Sequence, residues 1–219
     1  VQRRESSIGK GGIYSGAELG FVFQTLRAND LIWPNVINNY LKGKSPEAFD
    51  LLYWNADSTN LPGPMYAWYL RNTYLENNLI ERDRLTVCGT PVDLGAIDIP
   101  SYVLATQDDH IVPWRSAYRT TQLLGGQSQF VLGASGHIAG VINPASKNKR
   151  SYWTGGEQVD DAERWLAGST ETPGSWWTHW IQWLAPKTDT PVAARRKLGN
   201  RQHAVIEPAP GRYVKVKAG

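Results

Sequence analysis

An aspartate and a histidine each stand shortly after an apolar segment of the chain. Asp109 follows Tyr102-Val103-Leu104, and His137 follows Phe130-Val131-Leu132. Both segments are typical of buried strands. In open α/β sheets, reactive groups collect at the carboxyl ends of the strands, where loops project side chains over the sheet edge. A carboxylate that orients an imidazole makes a general base, so this pattern predicts acid–base or nucleophilic chemistry.

The order of these two residues narrows the class of chemistry. An acid followed by a histidine is the order of the last two triad members in an α/β-hydrolase. The simpler alternative is that Asp109 caps the following helix and that His137 is an ordinary turn residue. Because both residues follow strands of the same predicted sheet, the pattern favours the catalytic interpretation.

The nucleophile of such a triad should precede the acid, on a strand-to-helix turn flanked by glycines at two-residue spacing. Ser135 does not fit, because the second glycine would have to stand where His137 is. Cys88 has no glycine on its N-terminal side, and Pro91 stands where the helix should begin. We interpret Cys88 as a structural, buried cysteine. The nucleophile is therefore expected outside this chain.

The segments around these residues predict the elements that must position them. Pro113 fits the first turn of a helix that spans Trp114 to Leu124 and ends at two glycines. Strand, helix and strand in this order predict a crossover between parallel strands. A further helix contains Trp176, Trp180 and Trp183 at helical spacing, and Ser175 is its expected N-cap.

The segment from Ser15 to about Leu79 is predicted to be mostly helical and rich in turns. One helix is expected from Ala28-Asn29-Asp30 to Lys42-Gly43, and a second contains Met65, Trp68 and Leu75. The segment 186–200 is polar and predicts a loose connection. The alternating tail from Val205 to Lys217 predicts an edge strand.

The composition excludes several classes of protein. With 23 basic and 20 acidic residues, the net charge of +3 is too balanced to indicate a nucleic-acid partner. No apolar run is long enough to span a membrane, and the start of the chain lacks the apolar core of a signal peptide. One cysteine among 219 residues excludes an internal disulfide and suits a reducing compartment, so we expect the cytoplasm.

Several blocks of the sequence resemble the signature blocks of class I polyhydroxyalkanoate synthases. The blocks that contain Asp109 and His137 resemble the two C-terminal signatures of that family. The full set of similar segments is Leu26–Trp33, Trp54–Pro62, Asp109–Trp114, Gly133–Pro144, Gly174–Trp177 and Glu207–Val214. These segments are long and spread over most of the chain, so we expect the chain to be the C-terminal part of such an enzyme, including its cap.

The resemblance implies an α/β fold, namely the C-terminal portion of an α/β-hydrolase with a mostly helical cap subdomain. Residues 1–93 would form the cap, or lid, and residues 94–219 the C-terminal part of the core. It also implies a Cys-His-Asp catalytic set. His137 would deprotonate a cysteine that lies upstream of this chain, and Asp109 would orient His137 and assist attack by the substrate hydroxyl. This chain alone is expected to be inactive.

The implied activity is an acyltransferase that polymerises (R)-3-hydroxyacyl-CoA, chiefly 3-hydroxybutyryl-CoA, into polyhydroxyalkanoate with release of CoA. No cofactor is expected, because coenzyme A is part of the substrate and a product. The expected partners are the growing polyester, the granule surface and a second copy of the protein in a homodimer. The alternatives are an ester or thioester hydrolase of the same fold, and a non-catalytic fragment that dimerises or binds granules.

Other residues are assigned more modest roles. His110 could be a second base, but adjacent loop residues point in different directions, which favours a hydrogen-bonded structural role. Trp54 and the other aromatic residues of the predicted cap are interpreted as core packing, with an acyl path or a dimer contact as alternatives. His179 and His203 are assigned no role.

Overall fold

The computed structural model describes residues 1–26, 28–45 and 57–216. The chain forms two compact units. The first comprises Val1–Asn77 and Ala194–Gly219, and the second comprises Asn78–Ala193. The expected boundary between cap and core, between residues 93 and 94, stays a prediction. Trp54 lies outside the described residues.

The first unit is mainly helical. Its α-helices are α1 (Gln2–Ile8), α2 (Gly16–Leu26), α3 (Ala28–Leu31), α4 (Trp33–Asn35) and α5 (Gly63–Tyr69). Turns of π-helix, Val36–Leu41 and Leu70–Leu75, extend α4 and α5. Two residues of β1 (Ile13–Tyr14) pair antiparallel with β2 (Leu61–Pro62). Both helices expected in this region are present, although the first is interrupted between α3 and α4.

The second unit contains a four-stranded mixed sheet. A small antiparallel hairpin, β3 (Thr86–Val87) and β4 (Thr90–Pro91), precedes it. The sheet is formed by β5 (Ser101–Thr106), β6 (Ser128–Gly133), β7 (Ser151–Thr154) and β8 (Thr170–Pro173), in that spatial order. Strands β5 and β6 are parallel, and the β6–β7 and β7–β8 pairs are antiparallel. The two predicted strands are therefore neighbours in one sheet.

Four α-helices accompany this sheet. The crossover between β5 and β6 contains α6 (Trp114–Tyr118) and α7 (Thr120–Leu123), where the sequence predicts one continuous helix. Helices α8 (Ala162–Ala167) and α9 (Trp176–Leu184) follow β7 and β8. Ser175 caps α9 as predicted, because its hydroxyl oxygen accepts a hydrogen bond from the backbone N–H of Trp177 at 3.2 Å. Among the described residues, no helix is long and apolar enough to cross a membrane.

The core of the second unit is built from aromatic side chains between the sheet and the helices. Phe130 of β6 contacts Tyr118 of α6 and Trp165 of α8 edge to face, with ring centroids 4.9 and 4.7 Å apart. All three side chains are fully or almost fully buried. Edge-to-face contacts stabilise the core beyond the burial of apolar area alone. This core fixes the positions of the strands that lead to Asp109 and His137.

The predicted edge strand at the C-terminus is wrong for the residues described. The segment 205–216 contains only a 3₁₀ turn, Tyr213–Lys215, and no strand. Pro208 and Pro210 lack the N–H groups that a strand needs for its ladder of hydrogen bonds. Val205 and Ile206 are exposed. The alternation of apolar and polar residues in this segment therefore does not produce a strand.

Helix α9 is attached to the sheet by a tyrosine–histidine contact. The hydroxyl of Tyr102 lies 2.9 Å from Nδ1 of His179. Burial raises the pKa of Tyr102 and lowers the pKa of His179. Both groups are therefore kept neutral, with the hydroxyl protonated and the imidazole uncharged.

We expect acid to weaken the fold through His179. An unfolded histidine binds a proton near pH 6.5, whereas burial keeps folded His179 neutral to lower pH. The unfolded state therefore binds more protons as pH falls below about 6.5, and stability is lost in that range. Thermal unfolding at pH 7.5 and pH 5.5 should show a smaller acid-induced decrease in Tm for His179→Phe than for the wild type. Equal decreases would contradict this assignment.

Candidate active site

The carboxylate of Asp109 is held at the end of β5 by three hydrogen bonds. Its Oδ1 accepts bonds from the backbone N–H groups of Ile111 and Val112, at 2.8 and 3.0 Å. Its Oδ2 lies 2.8 Å from Nδ1 of His137. Only 10% of the Asp109 side chain is exposed. Helix α6 begins later, at Trp114, so Asp109 is not its cap.

The hydrogen bonds keep this carboxylate charged. Burial, the largest single influence, raises the pKa of Asp109, but the hydrogen bonds from His137, Val112 and Ile111 and the charge interaction with His137 together outweigh it. The net effect is a pKa below the usual value for an aspartate. A carboxylate that remains ionised can orient an imidazole and stabilise the imidazolium formed when that imidazole takes up a proton.

His137 lies in a tight turn directly after β6. Two backbone hydrogen bonds join this turn to the loop after β5, from Gln107 N–H to the Gly133 carbonyl at 2.8 Å and from Asp108 N–H to the Ser135 carbonyl at 3.0 Å. They continue the parallel pairing of β5 and β6 beyond the ends of the strands. This continuation brings Asp109 and His137 together, as the sequence predicts.

The outer face of the imidazole is accessible. The His137 side chain is 44% exposed. Among the described residues it forms a hydrogen bond only through Nδ1, which leaves Nε2 available. An imidazole oriented at Nδ1 by a carboxylate and accessible at Nε2 has the geometry of a general base.

The two residues rejected as nucleophiles, Cys88 and Ser135, both lie in turns. Cys88 is exposed in the tight turn between β3 and β4, with a φ of 51°. The expectation that Cys88 is buried is wrong, because hairpin turns place their side chains at the surface. Ser135 has a φ of 80° in the turn after β6. In the described part of the chain, no hydrogen bond joins Cys88 or Ser135 to His137.

The remaining histidines contribute nothing to this pair. His110 is exposed, and its ring forms no hydrogen bond within the described ranges, so the predicted hydrogen-bonded role is not seen. His179 contacts Tyr102, and His203 lies in the other compact unit. The described residues contain no group of three or more His, Cys, Asp or Glu side chains that could hold a metal ion.

Three residues for which the sequence predicts no part in the site contact the turn of His137 or the residues just after it. They are Ser175, Trp176 and Trp177, at the start of α9. The indole N–H groups of both tryptophans donate hydrogen bonds to backbone carbonyls in the turn. The signal that could have identified them is the Gly-Ser-Trp-Trp block, which resembles a family signature.

The fold and the site define the class of this protein. Residues 3–144 match the family model of the alpha/beta hydrolase fold. The chain therefore belongs to the alpha/beta hydrolase fold family, and the predicted fold class is confirmed.

Individual relatives narrow the comparison within that family. The chain is 54% identical over 223 residues to the poly(3-hydroxyalkanoate) polymerase subunit PhaC of Cupriavidus necator, and 45% identical over 218 residues to the subunit of the same name from Rhizobium meliloti. It is 43% identical over 219 residues to the poly(3-hydroxyalkanoate) polymerase of Methylorubrum extorquens. The resemblance to polyhydroxyalkanoate synthases is thus confirmed.

These matches cover the whole of this chain but only part of each relative. The chain spans 38, 35 and 36% of the three relatives, respectively. The similarity therefore concerns a little over a third of the length of each relative.

Proposed function

We propose that the full-length protein to which this chain belongs is a class I polyhydroxyalkanoate synthase. It polymerises (R)-3-hydroxyacyl-CoA, chiefly 3-hydroxybutyryl-CoA, and releases CoA. The observation that carries this proposal is the hydrogen bond of 2.8 Å between Asp109 and His137 in a chain similar to named polymerases. His137 is the general base, Asp109 orients it, and the nucleophilic cysteine comes from an upstream part of the polypeptide.

The first half of the reaction loads the acyl group onto the enzyme. Nε2 of His137 takes the proton from the cysteine thiol, and the thiolate attacks the carbonyl carbon of the acyl-CoA thioester. The bond between that carbon and the CoA sulfur breaks. CoA leaves as a thiol with the proton returned by His137. The new thioester keeps the acyl group activated.

The second half forms the ester. The 3-hydroxyl of one acyl unit loses its proton as its oxygen attacks the thioester carbon of the other, and the cysteine thiolate leaves. Both carboxylate oxygens of Asp109 already accept hydrogen bonds, Oδ1 from two backbone N–H groups and Oδ2 from His137. Three of the roughly four acceptor positions of this carboxylate are used in this way. His137 accepts the hydroxyl proton, and Asp109 orients the imidazole and assists attack by the hydroxyl through the remaining position on Oδ2.

Several partners follow from this proposal. The 3-hydroxyacyl-CoA is the substrate, and no cofactor is required because CoA is part of the substrate and a product. The growing polyester keeps the enzyme at the surface of a polymer granule in the cytoplasm. The full-length protein acts as a homodimer.

Incubation of the full-length protein with (R)-3-hydroxybutyryl-CoA tests the proposal. We expect CoA release, measured with a thiol reagent, to be accompanied by insoluble polyester that yields 3-hydroxybutyrate on hydrolysis. This 219-residue chain alone should release no CoA, because it lacks the proposed cysteine. Release of free acid without polymer would instead assign a thioester hydrolase.

Cys88 supplies the matched control for the proposed nucleophile. Because Cys88 is exposed in a hairpin turn, Cys88→Ala in the full-length protein should leave both CoA release and polymer formation unchanged. Loss of activity in this variant would contradict the assignment of the nucleophile to an upstream cysteine.

A further inference from the structure

The turn that bears His137 is held by side chains from the start of α9. The indole Nε1–H of Trp177 donates to the carbonyl of Val141 at 2.9 Å. The indole Nε1–H of Trp176 is shared between the carbonyls of Gly140 and Val141, at 3.2 and 3.1 Å. These hydrogen bonds end at residues three and four positions beyond His137, within the same hydrogen-bonded turn, 137–141.

A third side-chain donor, the hydroxyl of Ser175, holds the chain just after this turn. The buried hydroxyl of Ser175 donates to the carbonyl of Asn143. The amide of Asn143 donates in turn to the Lys149 carbonyl at 2.5 Å. The side-chain oxygen of Asn148 accepts the backbone N–H of Ser175 at 2.9 Å. Residues 140–143 are thus tied to the N-terminal end of α9 through side-chain donors and acceptors.

The turn is also fixed from the side of β5. A Cβ atom at Gly140 would lie 2.5 Å from Cγ2 of Thr106, the last residue of β5. The backbone N–H of Gly140 donates to the Gly136 carbonyl at 2.8 Å. Gly140 therefore packs directly on the strand that leads to Asp109. The turn is therefore restrained by two different elements, by β5 through the contact between Gly140 and Thr106 and by α9 through the indole hydrogen bonds.

Helix α9 is itself fixed on the sheet, so it can restrain the turn. Tyr102 of β5 lies 2.9 Å from His179 through its hydroxyl, and its ring centroid lies 5.2 Å from that of Trp183. A residue attached to such an element limits the motion of the group it holds. A misplacement of a catalytic group by about 1 Å can cost roughly 100-fold in rate.

We propose that Trp176 and Trp177 are positioning residues for His137. Their indole N–H groups hold the carbonyls of Gly140 and Val141, and so fix the turn from which the imidazole meets Asp109 and the reacting thiol. The ring area of the tryptophans contributes to packing, whereas the N–H groups set the position of the base. This inference rests on the proposed function for its kinetic test.

The test replaces the indole by a ring without a donor. In the full-length protein, Trp177→Phe should lower kcat for CoA release about tenfold while KM changes little, because the misplaced base acts on the reaction step. Trp176→Phe/Trp177→Phe should lower kcat by about 100-fold. The matched control is Trp180→Phe on the same helix, because the Trp180 indole forms no hydrogen bond within the described residues.

Two readouts separate positioning from a general loss of structure. In a His137→Ala background, Trp177→Phe should lower the residual activity no further, although any change in Tm should remain. In protein labelled with ¹⁵N-histidine, the Nδ1 proton resonance of His137 should shift or broaden in Trp177→Phe and stay in place in Trp180→Phe. The resonance does not depend on turnover.

These readouts also distinguish the two proposals. If the wild type releases free acid without polymer, the proposed function fails, and the comparison of Trp177→Phe with Trp180→Phe still decides the positioning role. Equal kcat values and equal His137 resonances for Trp177→Phe and Trp180→Phe would overturn the inference. So would an additive loss of activity in the His137→Ala background.

Discussion

Replacement of His137 by glutamine should lower kcat/KM for CoA release by about 10³-fold in the full-length protein, because a positioned general base contributes roughly 10²–10⁴-fold. Glutamine fills similar space and can still hydrogen-bond to Asp109, but it cannot take up a proton at neutral pH. Nδ1 of His137 is hydrogen-bonded to Asp109, and the exposed side chain leaves Nε2 accessible to the reacting groups. The loss should therefore appear in catalysis and not in folding, measured as CoA release alongside Tm.

The neighbouring histidine provides the control for this variant. His110 stands one residue after Asp109, is exposed and forms no hydrogen bond through its ring in the described part of the chain. His110→Gln should therefore retain nearly wild-type kcat/KM. If His110→Gln and His137→Gln lost activity equally, the general base would have to be assigned anew.

The largest effect on stability is expected for Trp165→Ala. The Trp165 side chain is 1% exposed, and its ring centroid lies 4.7 Å from that of Phe130. Truncation of a buried tryptophan to alanine costs about 3–5 kcal/mol. This is a large share of the roughly 5–15 kcal/mol that stabilises a typical domain. Urea unfolding followed by circular dichroism should show a much lower midpoint.

A tryptophan at the surface tests whether this loss reflects burial. Trp180 of α9 is 38% exposed, so Trp180→Ala should cost about 1 kcal/mol or less. Similar midpoints for Trp165→Ala and Trp180→Ala would show that the aromatic core of the second unit contributes less than its burial indicates.

The acid–histidine pair could be predicted from sequence because its determinants are local. Tyr102-Val103-Leu104 and Phe130-Val131-Leu132 are short, apolar and separated by a helical segment, which is enough to predict two parallel strands. The structure pairs Val103 with Phe130 and Leu104 with Val131. The loops that follow aligned strands must leave the sheet at the same edge, so Asp109 and His137 meet there.

The antiparallel half of the sheet could not be predicted in this way. Strand β8 consists of Thr170, Glu171, Thr172 and Pro173, which are mostly exposed and weak strand formers apart from the threonines. Strand β7 has only four residues and pairs with β6 at two positions. Strand β7 forms because β6 offers it a partner, and β8 forms because β7 does, which is a property of the tertiary structure and not of the local sequence.

The contacts of Trp176 and Trp177 with the turn of His137 cannot be predicted from the sequence for a related reason. The tryptophans of α9 show helical spacing, which predicts a buried face, but spacing does not reveal where an indole N–H points. Trp177 meets Val141 across 36 residues of sequence. Cys88 is the opposite case, because a residue type that is commonly buried stands in a hairpin turn that exposes it.

The four strands of the larger sheet pair in the order in which they occur along the chain. The contact between Asp109 and His137 consequently closes a loop of only 28 residues. The entropic cost of closing a flexible loop grows slowly with length, by about 0.6 kcal/mol for each doubling. Contacts between neighbouring segments also form faster than contacts between distant ones. Asp109 and His137 can thus meet early in folding, and evolution can lengthen the crossover between their strands at small energetic cost.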